Sequence, residues 1–146
     1  MAKHMASTTI AASPEKVWEV VSDSSRLAEW LSPLQGVDKV EPAGPLAMGT
    51  KVEGTLGNIG GAKLSFKQAE PGRLLAWSAG PFMAHMMRMP MHVELALEGG
   101  ADSTTATITF KSNPMIAPLM GMMTGLKFAD EAPATMEALK AAVEKG

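Results

Sequence analysis

Residues Thr8 to Leu34, TTIAASPEKVWEVVSDSSRLAEWLSPL, constrain this chain more than any other stretch. A β-branched run, Thr8-Thr9-Ile10, leads at once into Ser13-Pro14, a pair suited to starting a helix. Ser13 can accept a hydrogen bond from a first-turn N–H that has no helical partner. Pro14 stands where a missing N–H costs nothing, and Glu15 complements the positive end of the helix dipole. Val17, Trp18, Val20 and Val21 then form one apolar side at helical spacing. Asp23 or Ser24 restarts the chain as a second short helix carrying Leu27, Trp30 and Leu31, and Pro33 ends it. One strand followed directly by two small helices, with no phosphate-binding or basic signature, is an unusual way to begin a domain.

The middle of the chain reads as strands joined by short turns. Val37 to Glu41 is a strand, Pro42 to Pro45 a loop, and Lys51 to Leu56 and Ala62 to Ala69 two further strands joined through glycine-rich residues. Leu64 and Phe66 point one way while Lys63, Ser65 and Lys67 point the other. Glu70-Pro71-Gly72 is a turn, and Arg73 to Ala79 follows with Leu75 and Trp77 on one face. Met87 to Leu97 alternates most cleanly: Met87, Met89, Met91, Val93, Leu95 and Leu97 share one side, and Arg88, Pro90, His92, Glu94, Ala96 and Glu98 the other. One oily and one wet face is the mark of an antiparallel sheet, and Pro90, which cannot donate to a ladder, predicts an edge, a bulge or an irregular rim there. Thr104 to Phe110 is the last strand.

A long helical region closes the chain, so the class is α+β. Phe128, Ala132, Met136, Leu139 and Val143 fall on one stripe. The upstream apolar group, Met115 to Leu126, centres about 140° away if the helix runs unbroken. Pro133 predicts a kink or break that would bring both stripes to the sheet; the alternative is that the upstream half covers a cavity mouth.

Composition removes several functions. With 13 basic and 15 acidic residues and no basic cluster, nucleic acid and anionic membrane surfaces are poor partners. The absence of cysteine excludes disulfides, thiol catalysis and thiolate metal sites. No stretch predicts a transmembrane segment, and no apolar h-region marks a signal peptide, so a cytoplasmic domain is expected. Met1 to Met5 reads as a cloning remnant, which predicts a disordered start over residues 1–6 and a single domain over 7–145. The 13 methionines, against no tyrosine and four phenylalanines, are the odd entry in the composition. Nine lie in two clusters: Met83, Met86, Met87, Met89 and Met91, then Met115, Met120, Met122 and Met123. Methionine is flexible and fills irregular apolar space, so two clusters suggest an interior that adapts its shape.

The order of strand, two short helices, antiparallel strands and one long terminal helix resembles the START-like (SRPBCC) superfamily. Its most specific pieces here are SPEKVWEVVSD at Ser13 to Asp23, LAEWL at Leu27 to Leu31 and GRLLAW at Gly72 to Trp77. The resemblance implies a helix-grip fold, in which a curved antiparallel sheet of six to seven strands wraps a long C-terminal helix around an apolar pocket. It also implies carriage of lipids, sterols or polyketides. A minority of the superfamily perform cyclisation or dehydration, and related domains stimulate a chaperone ATPase. These motifs build the shell; none is a chemical signature.

Candidate chemistry is sparse. The segment MAHMMRMPMH, Met83 to His92, offers soft thioether and imidazole donors of the kind that hold Cu(I), haem iron or zinc, but it reads more simply as an apolar wall, so no metal and no cofactor is expected. For acid–base work, His85 is the one histidine whose parity turns it inward; Arg88 and Glu53 serve only if the sheet faces the other way. Ser13, Ser22, Ser24 and Ser25 cap helices, and no G-x-S-x-G, H-E-x-x-H or P-loop pattern occurs. The glycines from Gly54 to Gly61 read as a flexible hairpin. Trp18 is assigned to the core, Trp77 to core or pocket wall, and Trp30 to the neighbourhood of a portal. The ligand-binding set is therefore Leu64, Phe66, Leu75, Trp77, His85, Met87, Met89, Met91, Met120 and Met123. The favoured function is binding or transport of a hydrophobic small molecule, lipid or polyketide-like. A cyclase or dehydrase and a protein-docking module are the alternatives.

Overall fold

The computed structural model describes residues 2–57, 59–80, 91–112 and 128–145. Strand β1 (Ala2–Ile10) is followed by helix α1 (Pro14–Val21), a turn of 3-10 helix (Ser24–Arg26) and the one-turn helix α2 (Leu27–Trp30). Six strands come next: β2 (Leu34–Glu41), β3 (Lys51–Leu56), β4 (Ile59–Glu70), β5 (Leu74–Gly80), β6 (Met91–Gly99) and β7 (Thr104–Ser112). Helix α3 (Phe128–Lys145) closes the chain. All seven strands join one sheet in the order β1-β7-β6-β5-β4-β3-β2, every neighbour antiparallel. The chain order is a meander, with β1 returned to the far edge beside β7. The expected α+β helix-grip class stands, with seven strands.

The opening motif forms as its residues dictate. Lys16 N–H donates to Ser13 Oγ at 3.4 Å, and Ser22 Oγ–H donates back to the Trp18 carbonyl at 2.6 Å, closing α1 at both ends. Asp23 caps the following turn by accepting from Ser25 N–H at 3.0 Å, and Ser24 Oγ–H donates to the Gly44 carbonyl. Thr104, fully buried, donates its hydroxyl to the Ala12 carbonyl at 2.7 Å, tying the end of β1 to the start of β7.

One expectation is corrected and two are narrowed. The start is not disordered: β1 begins at Ala2, which pairs with Ser112, and the ladder runs unbroken to Ile10↔Thr104. Alternating exposed and half-covered residues let this strand pair through its backbone although its side chains carry no strand signal. Second, of the edge, bulge or irregular rim expected around Pro90, the edge is excluded from Met91 onward, where β6 lies between β5 and β7. Pro90 itself falls outside the described residues. Third, of the kink or break expected at Pro133, the break is excluded: α3 is continuous through Pro133, and Ala132, Met136, Leu139 and Val143 are buried as the stripe predicts. A proline removes one i→i−4 hydrogen bond, and the packing of the following three turns outweighs that loss. The upstream half of the predicted helical region lies outside the described residues.

Helix α3 rests on β1 and β7 and touches α1 and α2, so it covers one side of the concave sheet face. Its C-terminal turn is held by Glu144, which accepts from Ala11 N–H at 3.0 Å and from Lys140 Nζ at 2.6 Å. The hydrogen bond from Lys140, then that from Ala11, holds this carboxyl below the ordinary carboxylate range. Glu29 beside Arg26 and Glu41 beside Lys39 are lowered in the same way, chiefly by a side-chain hydrogen bond from the basic partner. Groups whose folded pKa is depressed add stability above the unfolded value and lose it as pH falls through the folded one. Stability is therefore expected to be flat from neutral pH to about pH 5 and to decline below it. All three carboxylates are solvent-exposed, so the decline is shallow. Thermal midpoints across that range test this, and Glu144→Gln is expected to lose less on acidification than the parent.

Candidate functional site

The concave face collects the side chains that the strand alternation turns inward. Leu64, Phe66, Leu75, Trp77 and Met91 are all buried, at 2% exposure or less, and adjoin one another across the ladders. Phe66 lies opposite Trp77, Leu64 opposite Ala79, and Ala79 opposite Met91. The Phe66 and Trp77 rings meet with centroids 5.4 Å apart. A bulge between Phe66 and Gln68 resets the alternation, so that Phe66 and Ala69 both turn toward the core.

At one end of the sheet these side chains leave a small void of about 10 Å³. Leu64, Trp77, Ala79, Met91, Val93 and Phe110 form its strand side, and Leu31, Pro33 and Leu56 complete it. That is barely room for one water, and none of the nine lining residues carries a titratable group. Of the expected ligand-binding residues, Leu64, Trp77 and Met91 reach the void. Phe66 and Leu75 belong to the surrounding core. His85, Met87, Met89, Met120 and Met123 lie outside the described residues, as does Arg88.

Trp30 is fully buried. It meets Trp77 edge-on, with ring centroids 6.2 Å apart and planes at 81°. Its Nε1–H is the buried side-chain donor that has no partner among the described residues. Trp18, expected in the core, is half-buried. It lines an open cleft of about 860 Å³ at the opposite end of the sheet, together with Pro14, Arg73, Leu74 and Glu98. Glu53 and His92 point to the outer face, where His92 Nδ1 lies 3.3 Å from the Ser78 hydroxyl. Among the described residues no cluster of three or more potential metal ligands forms.

One polar group of side chains reaches beneath α3. Ser32 Oγ–H lies 2.5 Å from Glu131 Oε2 and its oxygen is 2.9 Å from Thr135 Oγ1, with Thr135 fully buried. These groups satisfy one another and dock the segment after α2 on α3, as a fastening rather than a reactive set. Sequence reasoning missed Leu31, Pro33, Leu56, Ala79, Val93 and Phe110 as void walls. Val93 and Phe110 were available from parity, and Ala79 from its place two residues beyond Trp77. Pro33 gave no such signal, because a helix-stopping proline is ordinarily read as surface.

A family model described as polyketide cyclase/dehydrase and lipid transport matches residues 1–144. None of the curated proteins matches the chain. Solved structures share the fold at low identity. The protein MLL2253 from Mesorhizobium loti superposes with a TM-score of 0.73 at 16% identity, covering 99% of this chain and 98% of its own. The Aha1 dimer from Colwellia psychrerythraea gives 0.70 at 19%, over 99% and 97% of the two chains. The Zhui aromatase/cyclase from Streptomyces sp. R1128 gives 0.66 at 17%, over 99% and 94%.

Proposed function

The chain belongs to the polyketide cyclase/dehydrase and lipid transport family, and from that premise we propose that it binds a hydrophobic small molecule, lipid or polyketide-like, inside the grip. Leu64, Trp77 and Met91 would form the strand wall of the site, and Leu31 and Pro33 its helical side. The carrying observation is the void itself: a small gap, apolar on every described side, while the ion pairs seen among the described residues sit at the surface. The nine described wall residues carry no titratable group, and His85, the expected acid–base candidate, lies outside the described residues, so the reading rests on the apolar wall. The outer cleft is larger, but it is open and bordered by charged groups, so a hydrophobic guest there would stay half wet.

A void of this size admits no lipid as it stands, so binding requires side chains to move aside. Met91 is suited to that, since a thioether chain changes rotamer at little cost. A guest that hides about 300 Å² of apolar surface gains on the order of 7 kcal/mol, from which ordering and repacking costs are subtracted, so affinity is expected to be weaker than about 10 μM. Native mass spectrometry after incubation with oleic acid tests the reading. A one-to-one adduct that is lost on denaturation is the expected result. A spectrum of bare protein at all ratios, with no saturable change in tryptophan fluorescence, would count against it.

A further inference from the structure

We infer that the Trp30 indole N–H is the hydrogen-bond donor that orients the guest, so the ligand carries an acceptor oxygen on its apolar body. This rests on the binding reading above and adds the identity of the orienting residue. Three observations lead to it. Trp30 is fully buried, and its Nε1–H finds no acceptor among the described residues. A buried donor left unpaired is costly, and native proteins seldom keep one without a use. Trp30 is not one of the nine wall residues, but it adjoins two of them: its ring meets Trp77, and Leu31 is its chain neighbour.

Polar side chains on the neighbouring segments are already committed. Ser32, Glu131 and Thr135 bond one another, and Arg26 is engaged by Glu29. Where the wall is hydrocarbon, one thioether and the Trp77 indole, an unsatisfied donor beside it helps decide which end of a guest goes in first. A ketone, ester or carboxyl oxygen placed on Nε1 regains the missing bond. A pure hydrocarbon of the same shape leaves the donor unpaired in bound and free states alike, and gains only from burial. The site should therefore discriminate between isosteres that differ at a single atom.

A matched pair of probes tests this: 2-acetylnaphthalene, and 2-isopropenylnaphthalene, in which a methylene group replaces the carbonyl oxygen. Calorimetry should show the ketone binding about tenfold more tightly. Trp30→Phe should erase that preference while the alkene's affinity changes little. Because Trp30→Phe also removes core volume, the same question is put to the parent protein by nitrogen–proton NMR. The Trp30 indole proton should move downfield with the ketone and not with the alkene. Equal affinities with an unmoved indole proton would overturn the donor role and leave the binding reading intact; an upfield indole proton in the free protein would then assign the N–H to the Trp77 ring face. Failure of both probes to bind would remove the binding reading, and this inference with it.

Discussion

Trp77→Ala is expected to destabilise the protein by about 3–5 kcal/mol, the range for deleting a buried aromatic side chain. Trp77 is 2% exposed and packs against both Phe66 and Trp30. Its loss removes burial and two aromatic contacts together, and it enlarges a void that already exists. Neighbouring strands cannot collapse into the space, because β4 and β6 are held on either side of β5 by their own ladders. Urea unfolding monitored by circular dichroism should show a lower midpoint with an unchanged slope. A loss below about 1 kcal/mol would mean that the site relaxes freely, contrary to the packed face described here.

Gly54→Ala is the second large effect, on the order of 3 kcal/mol, and it acts through the backbone. Gly54 lies within β3, not in the hairpin that its glycine-rich surroundings predict. A Cβ there would sit 2.2 Å from the Gly36 carbonyl oxygen on β2. The two strands approach closely because β2 is bulged between Leu34 and Gly36 and again between Val37 and Lys39. With a methyl group in the way, β2 must move off β3, and β2 is an edge strand with no other partner in the sheet. Amide exchange in β2 should accelerate first, ahead of β4 to β7. Gly60→Ala is the control: a Cβ there meets nothing within 4 Å, and stability should change by less than about 0.5 kcal/mol.

These two positions mark what could and could not be read from sequence. The inward set on β4 to β6 follows from two-residue periodicity alone, because a half-buried antiparallel strand imposes it. The start of α1 follows from Ser13-Pro14, since a cap is a local event. Gly54 could not be read this way; its necessity comes from the carbonyl of a residue 18 positions earlier on a bulged neighbour. Trp30 was equally opaque. A four-residue helix has no periodicity to tell its inner face, and it is tertiary packing, of α2 against α3 and of the indole against Trp77, that accompanies its burial. Ala2 to Ala6 carried no strand signal because β7 supplies their pairing through the backbone. The void is a remainder of packing, the property least visible in a one-dimensional pattern.

The account stands or falls on where a hydrophobic guest sits. Isotope-filtered nuclear Overhauser spectra of the protein with 2-acetylnaphthalene read that location directly. The interior site predicts cross-peaks from the probe to the methyl groups of Leu31, Leu64, Met91 and Val93. Cross-peaks instead to Pro14, Leu74 and Leu97, which border the open cleft at the other end of the sheet, would contradict it.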